Sequence, residues 1–257
     1  MFCFIETIKR KDMNRIGKAI MGLMLAALPA VMNSQDIHWQ ARGGIGRSTL
    51  FAGVTNIEDR TGFHVGGGAD IGLSKNGVWR LQPSLQFVRK GWRFEGYYGS
   101  EQIMEARFGT RLDYLQLPLQ LAARLRLGEG CFLTFRSGAY VACGLSGKTR
   151  LDVVNTDRCE TFDVNHFSHA FDFHSCAYDR ESRRVSYPAF NRWDAGAIGG
   201  LDLTLGHFII GYDVCVGLTS VSDAGFMGNP VGNVATAVLL GAHPKNIMAD
   251  LSVGYRF

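Results

Sequence analysis

Proline is scarce in this chain, 6 residues against 32 glycines, and the glycines form no low-complexity tract. They sit inside apolar runs such as GFHVGGGADIGL and DAGAIGGLDLTL. Helix interiors disfavour that arrangement, so the sequence points to an all-β chain with curved or closely approaching strands. A long apolar helix is also missing. The run Ala19–Met32 has about 14 residues, where a bilayer-spanning helix needs roughly 20. No local motif joins a nucleophile, a base and an orienting acid. His207 falls in a predicted turn and His243 in a predicted loop, so no enzyme is expected.

The short apolar run follows Lys9, Arg10, Lys11, Arg15 and Lys18, which is the layout of a signal peptide. We expect residues 1–34 to be removed on export, with a cut before Gln35 and Met13 as a possible start. No cysteine follows closely enough for a lipid anchor. That segment carries five Lys or Arg and two acids, so its loss takes the formal charge from +4 to +1. The remainder lacks the concentrated basic surface that nucleic-acid binding requires.

What is present is alternation. The chain ends ADLSVGYRF, with Ala249, Leu251, Val253, Tyr255 and Phe257 on one face and Asp250, Ser252, Gly254 and Arg256 on the other. In YLQLPLQLAARLRL, Leu115, Leu117, Leu119, Leu121, Leu125 and Leu127 oppose Gln116, Gln120, Arg124 and Arg126. Similar segments begin near Ile37, Phe63, Trp79, Leu133, Trp193 and Phe208, which makes about eight strands. The apolar face is bulky, while the other carries Gly, Gln, Asp and Arg that suit a crowded interior. The greasy face therefore points outward, where only hydrocarbon tolerates it, and a closed barrel satisfies the backbone there.

The connections alternate. SKNG, GEG and GH suit tight turns, whereas Ser48–Thr61, Gly96–Gly109, Val153–Asn191 and Ser220–Asn246 are long. The expectation is a transmembrane antiparallel up-and-down β-barrel over residues 35–257, with short periplasmic turns and long extracellular loops, in the cell outer membrane. By parity, Arg42, Asp70, Arg80, Arg124, Arg126, Arg136, Asp194, Asp202, Asp213, Asp250 and Arg256 face the lumen. Balanced charges in so narrow a barrel would pair, leaving a plugged interior rather than an open solute channel.

The loop at about 153–191 holds DRCETFDVNHFSHAFDFHSCAYDR. His166, His169, His174, Asp163 and Asp172 could hold a metal ion, but the spacing matches no established zinc pattern. In an exported protein a Cys159–Cys176 disulfide is the stronger expectation, and no cofactor is expected.

The order GFHVGGGADIGL, LQPSLQFVRKGWRF, YLQLPLQLAARL, FRSGAYVACGLSG and LSVGYRF resembles the Bacteroidetes-type, PorT-like outer-membrane β-barrel family over most of Phe63–Phe257. That resemblance implies outer-membrane lipid as surroundings and the outer-membrane assembly machinery as a partner, with terminal Phe257 as the assembly signal. It also implies a role in a secretion or envelope machine as an alternative to a surface interaction or structural protein. The extracellular or envelope protein partner is left unnamed.

Overall fold

The alternating segments are strands in the computed structural model, which describes residues 36–51, 57–74, 76–98, 104–155, 158–165, 167, 170–171, 191–221 and 244–257. In chain order these are β1 (Ile37–Phe51), β2 (Ile57–Gly72), β3 (Trp79–Tyr98), β4 (Met104–Gly128), β5 (Cys131–Asn155), β6 (Arg158–Asn165), β7 (Ala170–Phe171), β8 (Trp193–Leu205), β9 (Phe208–Gly217) and β10 (Lys245–Arg256). Eight of them close a ring in the order β1, β2, β3, β4, β5, β8, β9, β10 and back to β1, with every pairing antiparallel. The remaining two, β6 and β7, hang on the side of β5.

Closure runs through the C-terminal strand. β10 pairs with β1 from Gln40 opposite Arg256 to Phe51 opposite Lys245, and the Phe257 N–H donates to the Trp39 carbonyl at 2.9 Å. The last residue is thus part of the seam. A barrel needs both edges paired, and β1 and β10 supply them to each other.

Three tight turns share one end of the barrel, as their sequences suggest. Each contains a glycine with positive φ, Gly77 at +69°, Gly130 at +67° and Gly206 at +61°, a conformation in which a side chain would be strained. At the opposite end the strands run further than the alternation implies. β1 continues to Phe51 and β2 starts at Ile57, while β3 reaches Tyr98 and β4 starts at Met104. The expected long connections Ser48–Thr61 and Gly96–Gly109 are mostly strand, and the expected Val153–Asn191 loop carries β6 and β7. Apolar alternation is required only where a wall touches hydrocarbon. Beyond it, backbone pairing alone can prolong a hairpin without leaving that signature.

The result is a lopsided barrel. β3, β4 and β5 have 20, 25 and 25 residues, whereas β8, β9 and β10 have 13, 10 and 12. Crossing a bilayer takes about 9–11 residues, so the first three strands project well beyond what a crossing needs. β6 joins this projection, pairing with Lys148–Asn155 of β5 past Cys143, where the β5–β8 pairing stops. The expected signal segment lies outside the described residues.

Candidate functional site in the barrel interior

Strand parity divides the wall into two faces. Trp39, Ile45, Leu117, Phe135, Ile210 and Val253 are exposed on the outside, while Gln40, Arg42, Gln116, Arg136, Asp202 and Ser252 are buried inside. Ala69 and Ile71 depart from expectation: they have outward parity but are buried, opposite Trp39 and Ile37 on β1.

The interior nearest the turns is ionic. Arg80 donates from Nε to Asp70 Oδ1 and from Nη1 to Asp36 Oδ2, both at 2.6 Å, and Arg124 Nη2 reaches Asp70 Oδ2 at 2.5 Å. Asp70 also accepts from Gln82 at 3.2 Å. The hydrogen bond from Arg80 holds the carboxyl of Asp36, at the barrel mouth, below the usual carboxylate range. Deeper in, Arg42 binds Asp202 through both oxygens at 2.8 and 2.6 Å, and Arg136 Nη2 reaches Asp202 Oδ1 at 2.7 Å and Asp213 Oδ1 at 2.8 Å. His64 Nδ1 lies 3.0 Å from Asp250 Oδ1 on the same level. Each buried arginine in this network has a carboxylate partner, the condition for tolerating its charge away from water. A pocket between Gln40, Arg42, Gln82, Gln120 and Arg136 measures about 10 Å³, barely one water molecule.

Toward the other end the filling changes. Val88, Trp92, Leu112, Tyr114, Tyr140, Ile198, Cys215 and Met248 form a buried apolar cluster, joined by Phe167 from the β6–β7 segment. Phe167 fits because β5 is bare there: a Cβ on Gly144 would lie 2.5 Å from its ring, and one on Gly147 2.9 Å. The Arg192 side chain holds the Phe167 carbonyl at 3.0 Å. The ion pair within the cluster, Lys90 with Asp194 at 3.1 Å, is wrapped in aromatics. Tyr140 donates to the same carboxylate at 3.2 Å, Thr219 donates to its other oxygen at 2.9 Å, and the Lys90 ammonium lies 4.5 Å from the Tyr140 ring centre.

On β3 and β4 the outside changes at the same level. Leu85 and Leu115 are exposed apolar residues, but the next outward positions beyond Phe87 and Leu115 are Arg89 and Asp113, paired at 2.6 Å, followed by Arg111 and Arg93. On these two strands the wall is apolar outside and polar inside below this level, and above it the polarity is reversed. The apolar stretch of β3 from Trp79 to Phe87 has nine residues, a bilayer crossing's length, with aromatics at both ends.

Most of the lumenal residues expected from parity take part in this filling. Arg126 does not: it is exposed at the turn between β4 and β5, its Nε donating to the Gly128 carbonyl at 3.3 Å, because the strand has already left the lumen there. Arg256 is half-buried at the turn-end mouth beside His207. Parity alone missed Lys90 and Trp92, since they lie where the outside is no longer apolar, and Tyr114 and Tyr140, aromatics turned inward at the upper edge of the band. For Lys90 and Trp92 the signal was a reversed alternation in VRKGWRF. Cys159 falls in β6 and Cys176 lies outside the described residues, as do His166, His169, His174 and Asp172. Cys131, Cys143 and Cys215 are free thiols in strands. Phe257 is exposed at the seam, its ring 5.1 Å from that of Tyr255.

The model of the outer membrane protein beta-barrel domain matches residues 33–223, and the chain belongs to that family. It is an outer-membrane β-barrel, and the apolar outer band is its lipid-facing wall. Among solved structures, the attachment invasion locus protein Ail of Yersinia pestis is 13% identical with a TM-score of 0.37, over 86% of this chain and 99% of that one. Neisserial surface protein A is 6% identical with a TM-score of 0.36, over 87% and 100%. The translocator domain of the autotransporter NalP from Neisseria meningitidis is 10% identical with a TM-score of 0.30, over 96% and 98%. These are likenesses of outline, and nothing about binding passes across them. No curated protein matches the chain in sequence.

Proposed function

We propose that this outer-membrane barrel is a non-enzymatic surface interaction or structural protein that works through its non-turn end, which faces outward from the cell. The carrying observation is the projection: β3, β4 and β5 outrun a bilayer crossing and present β6 and β7 on one side, above a lumen filled with ion pairs and aromatics. A filled lumen argues against a narrow solute channel. Three minimal turns at the other end offer little surface for a periplasmic partner, which argues against the PorT-like machine component. Export through residues 1–34, recognition of Phe257 by the assembly machinery and a Cys159–Cys176 bridge belong to the same proposal.

Photo-crosslinking side chains placed at Ser100, Ser182 and Glu129 in the native envelope test it. Partner bands from Ser100 or Ser182 and none from Glu129, in the turn between β4 and β5, are expected. Bands from Glu129 alone would favour the envelope-machine alternative. An epitope inserted at residue 100 reads the orientation separately, and it should be accessible on intact cells.

A further inference from the structure

The outer wall just beyond the lipid-facing band carries a cluster of cations on β2, β3, β4 and β5. Arg60 lies across this face: a Cβ on Gly91 would be 3.1 Å from its Cδ, and one on Gly109 3.3 Å from its Nη1. Its Nη1 donates to the Thr110 carbonyl at 3.3 Å, so two side-chain-free positions and one backbone acceptor fix it there. Arg60 feels the repulsion of Arg93, Arg111 and Arg89 and the attraction of Asp113. Lys148 extends the row, standing opposite Arg111 on β5 and exposed. Two described carboxylates share the face: Asp113, held by Arg89 at 2.6 Å and by Arg111 at 3.9 Å, and Glu58, opposite Arg93 across β2 and β3. Among the side chains described on this face between Glu58 and Lys148, five cations stand against two acids.

Position gives this excess its meaning. The Arg89 guanidinium sits 4.9 Å above the Phe63 ring, which packs on Phe87 at 5.9 Å, and below them come Val65, Leu85 and Leu115. Apolar wall gives way to guanidinium within two residues of β3. A ligand bound there must therefore present an anion at headgroup depth and hydrocarbon directly beneath it. Arginine forks match phosphate oxygens, and like charges held together on one rigid sheet face favour an anion between them.

We propose that Arg60, Arg93 and Arg111, with Lys148, bind the phosphoryl headgroup of an outer-leaflet lipid whose acyl chains lie along Val65, Leu85 and Leu115. This rests on the non-turn end facing outward, which the epitope at residue 100 reads independently. The source is membrane lipid rather than free phosphate, because the apolar half of the site abuts the charged half without a gap.

The test uses the full barrel, purified in detergent and checked for its heat-modifiable folded mobility, with bound lipid counted by native mass spectrometry. The probes are a diphosphorylated lipid A, the same lipid dephosphorylated, and inorganic phosphate. The wild type should retain the phosphorylated lipid, and Arg60→Gln with Arg93→Gln and Arg111→Gln should weaken retention on the order of a hundredfold, from about fivefold per arginine near a charged surface. Arg126→Gln, at the opposite end, should change nothing. If the triple variant loses the folded mobility, Arg111→Gln alone should still weaken retention about fivefold, and Arg111→Lys should recover most of it. Undiminished retention by the Gln variants, equal retention of the dephosphorylated lipid, or displacement by millimolar inorganic phosphate would each overturn the proposal.

Discussion

Strand β3 belongs to two environments. From Trp79 to Phe87 it shows Leu81 and Leu85 to the outside and Arg80 and Gln82 to the lumen; from Val88 to Arg93 it shows Arg89 and Arg93 outside and Val88, Lys90 and Trp92 inside. The lower half is built as a membrane barrel and the upper half as a water-soluble one, with the same backbone pairing throughout. The solvent outside decides which face must be apolar, and the inside takes what is left. A lipid-facing wall forces a polar lumen, which is stable only when every charge is paired. A water-facing wall permits an apolar core, and there the chain places Trp92 and Leu112.

The two fillings should fail differently. Asp202→Ala strips a carboxylate from both Arg42 and Arg136, and breaking a buried ionic network in this way costs about 3–5 kcal/mol. Trp92→Ala leaves a void in the upper cluster and costs a similar amount, about 3–5 kcal/mol. Urea unfolding in lipid vesicles should show both losses. A cost under about 1 kcal/mol for Asp202→Ala, within the range of an exposed pair, would mean that the lower lumen is hydrated rather than sealed. Planar bilayers should show no discrete conductance for the wild type, whereas regular single-channel steps would contradict the closed lumen.

A smaller contrast tests the faces of one strand. Leu119→Arg, in the lipid-facing wall, should cost about 2–4 kcal/mol, whereas Gln120→Glu beside Arg136 in the lumen should be milder. Equal costs in the same unfolding series would mean that inside and outside are exchanged.

The smallest expected effect lies at the turn-end mouth. Asp36 is held below the usual carboxylate range by its hydrogen bond from Arg80, so it adds stability at pH above its ordinary value, and that contribution fades as pH falls through its lowered value. Asp36 is half exposed, which keeps the effect modest. Asp36→Asn should therefore lower stability modestly near neutrality and converge on the wild type below about pH 4, which flattens the acid limb. A variant equally weakened at pH 7 and pH 3 would place the role of Asp36 in packing instead of charge.

The lower half was open to reading from the sequence because hydrocarbon imposes a rule on every second residue. Leu115 to Leu125 announce an outer wall, and Gln116 and Gln120 announce a lumen; Arg42, Asp70, Asp202 and Arg136 follow from the same parity. The pairing among them did not follow, since Arg42 and Asp202 are 160 residues apart and meet only when the ring closes. The upper half was hidden for a physical reason. Once Arg89 replaces an outward apolar residue the alternation looks finished, although the backbone goes on pairing to Tyr98. β6 was similarly concealed within an expected loop, because a strand outside the membrane can pair through its backbone without an apolar stripe.

The reversal of the wall on β3 is most directly tested by spin labels at its outward positions. With labels placed singly at Leu85, Phe87, Arg89 and Arg93 in the barrel reconstituted in bilayers, collision with molecular oxygen reports lipid and collision with a polar nickel chelate reports water. The account predicts oxygen-dominated relaxation at 85 and 87 and chelate-dominated relaxation at 89 and 93, with the crossover between Phe87 and Arg89. Oxygen-dominated relaxation continuing through 93, or chelate access already at 85, would contradict it.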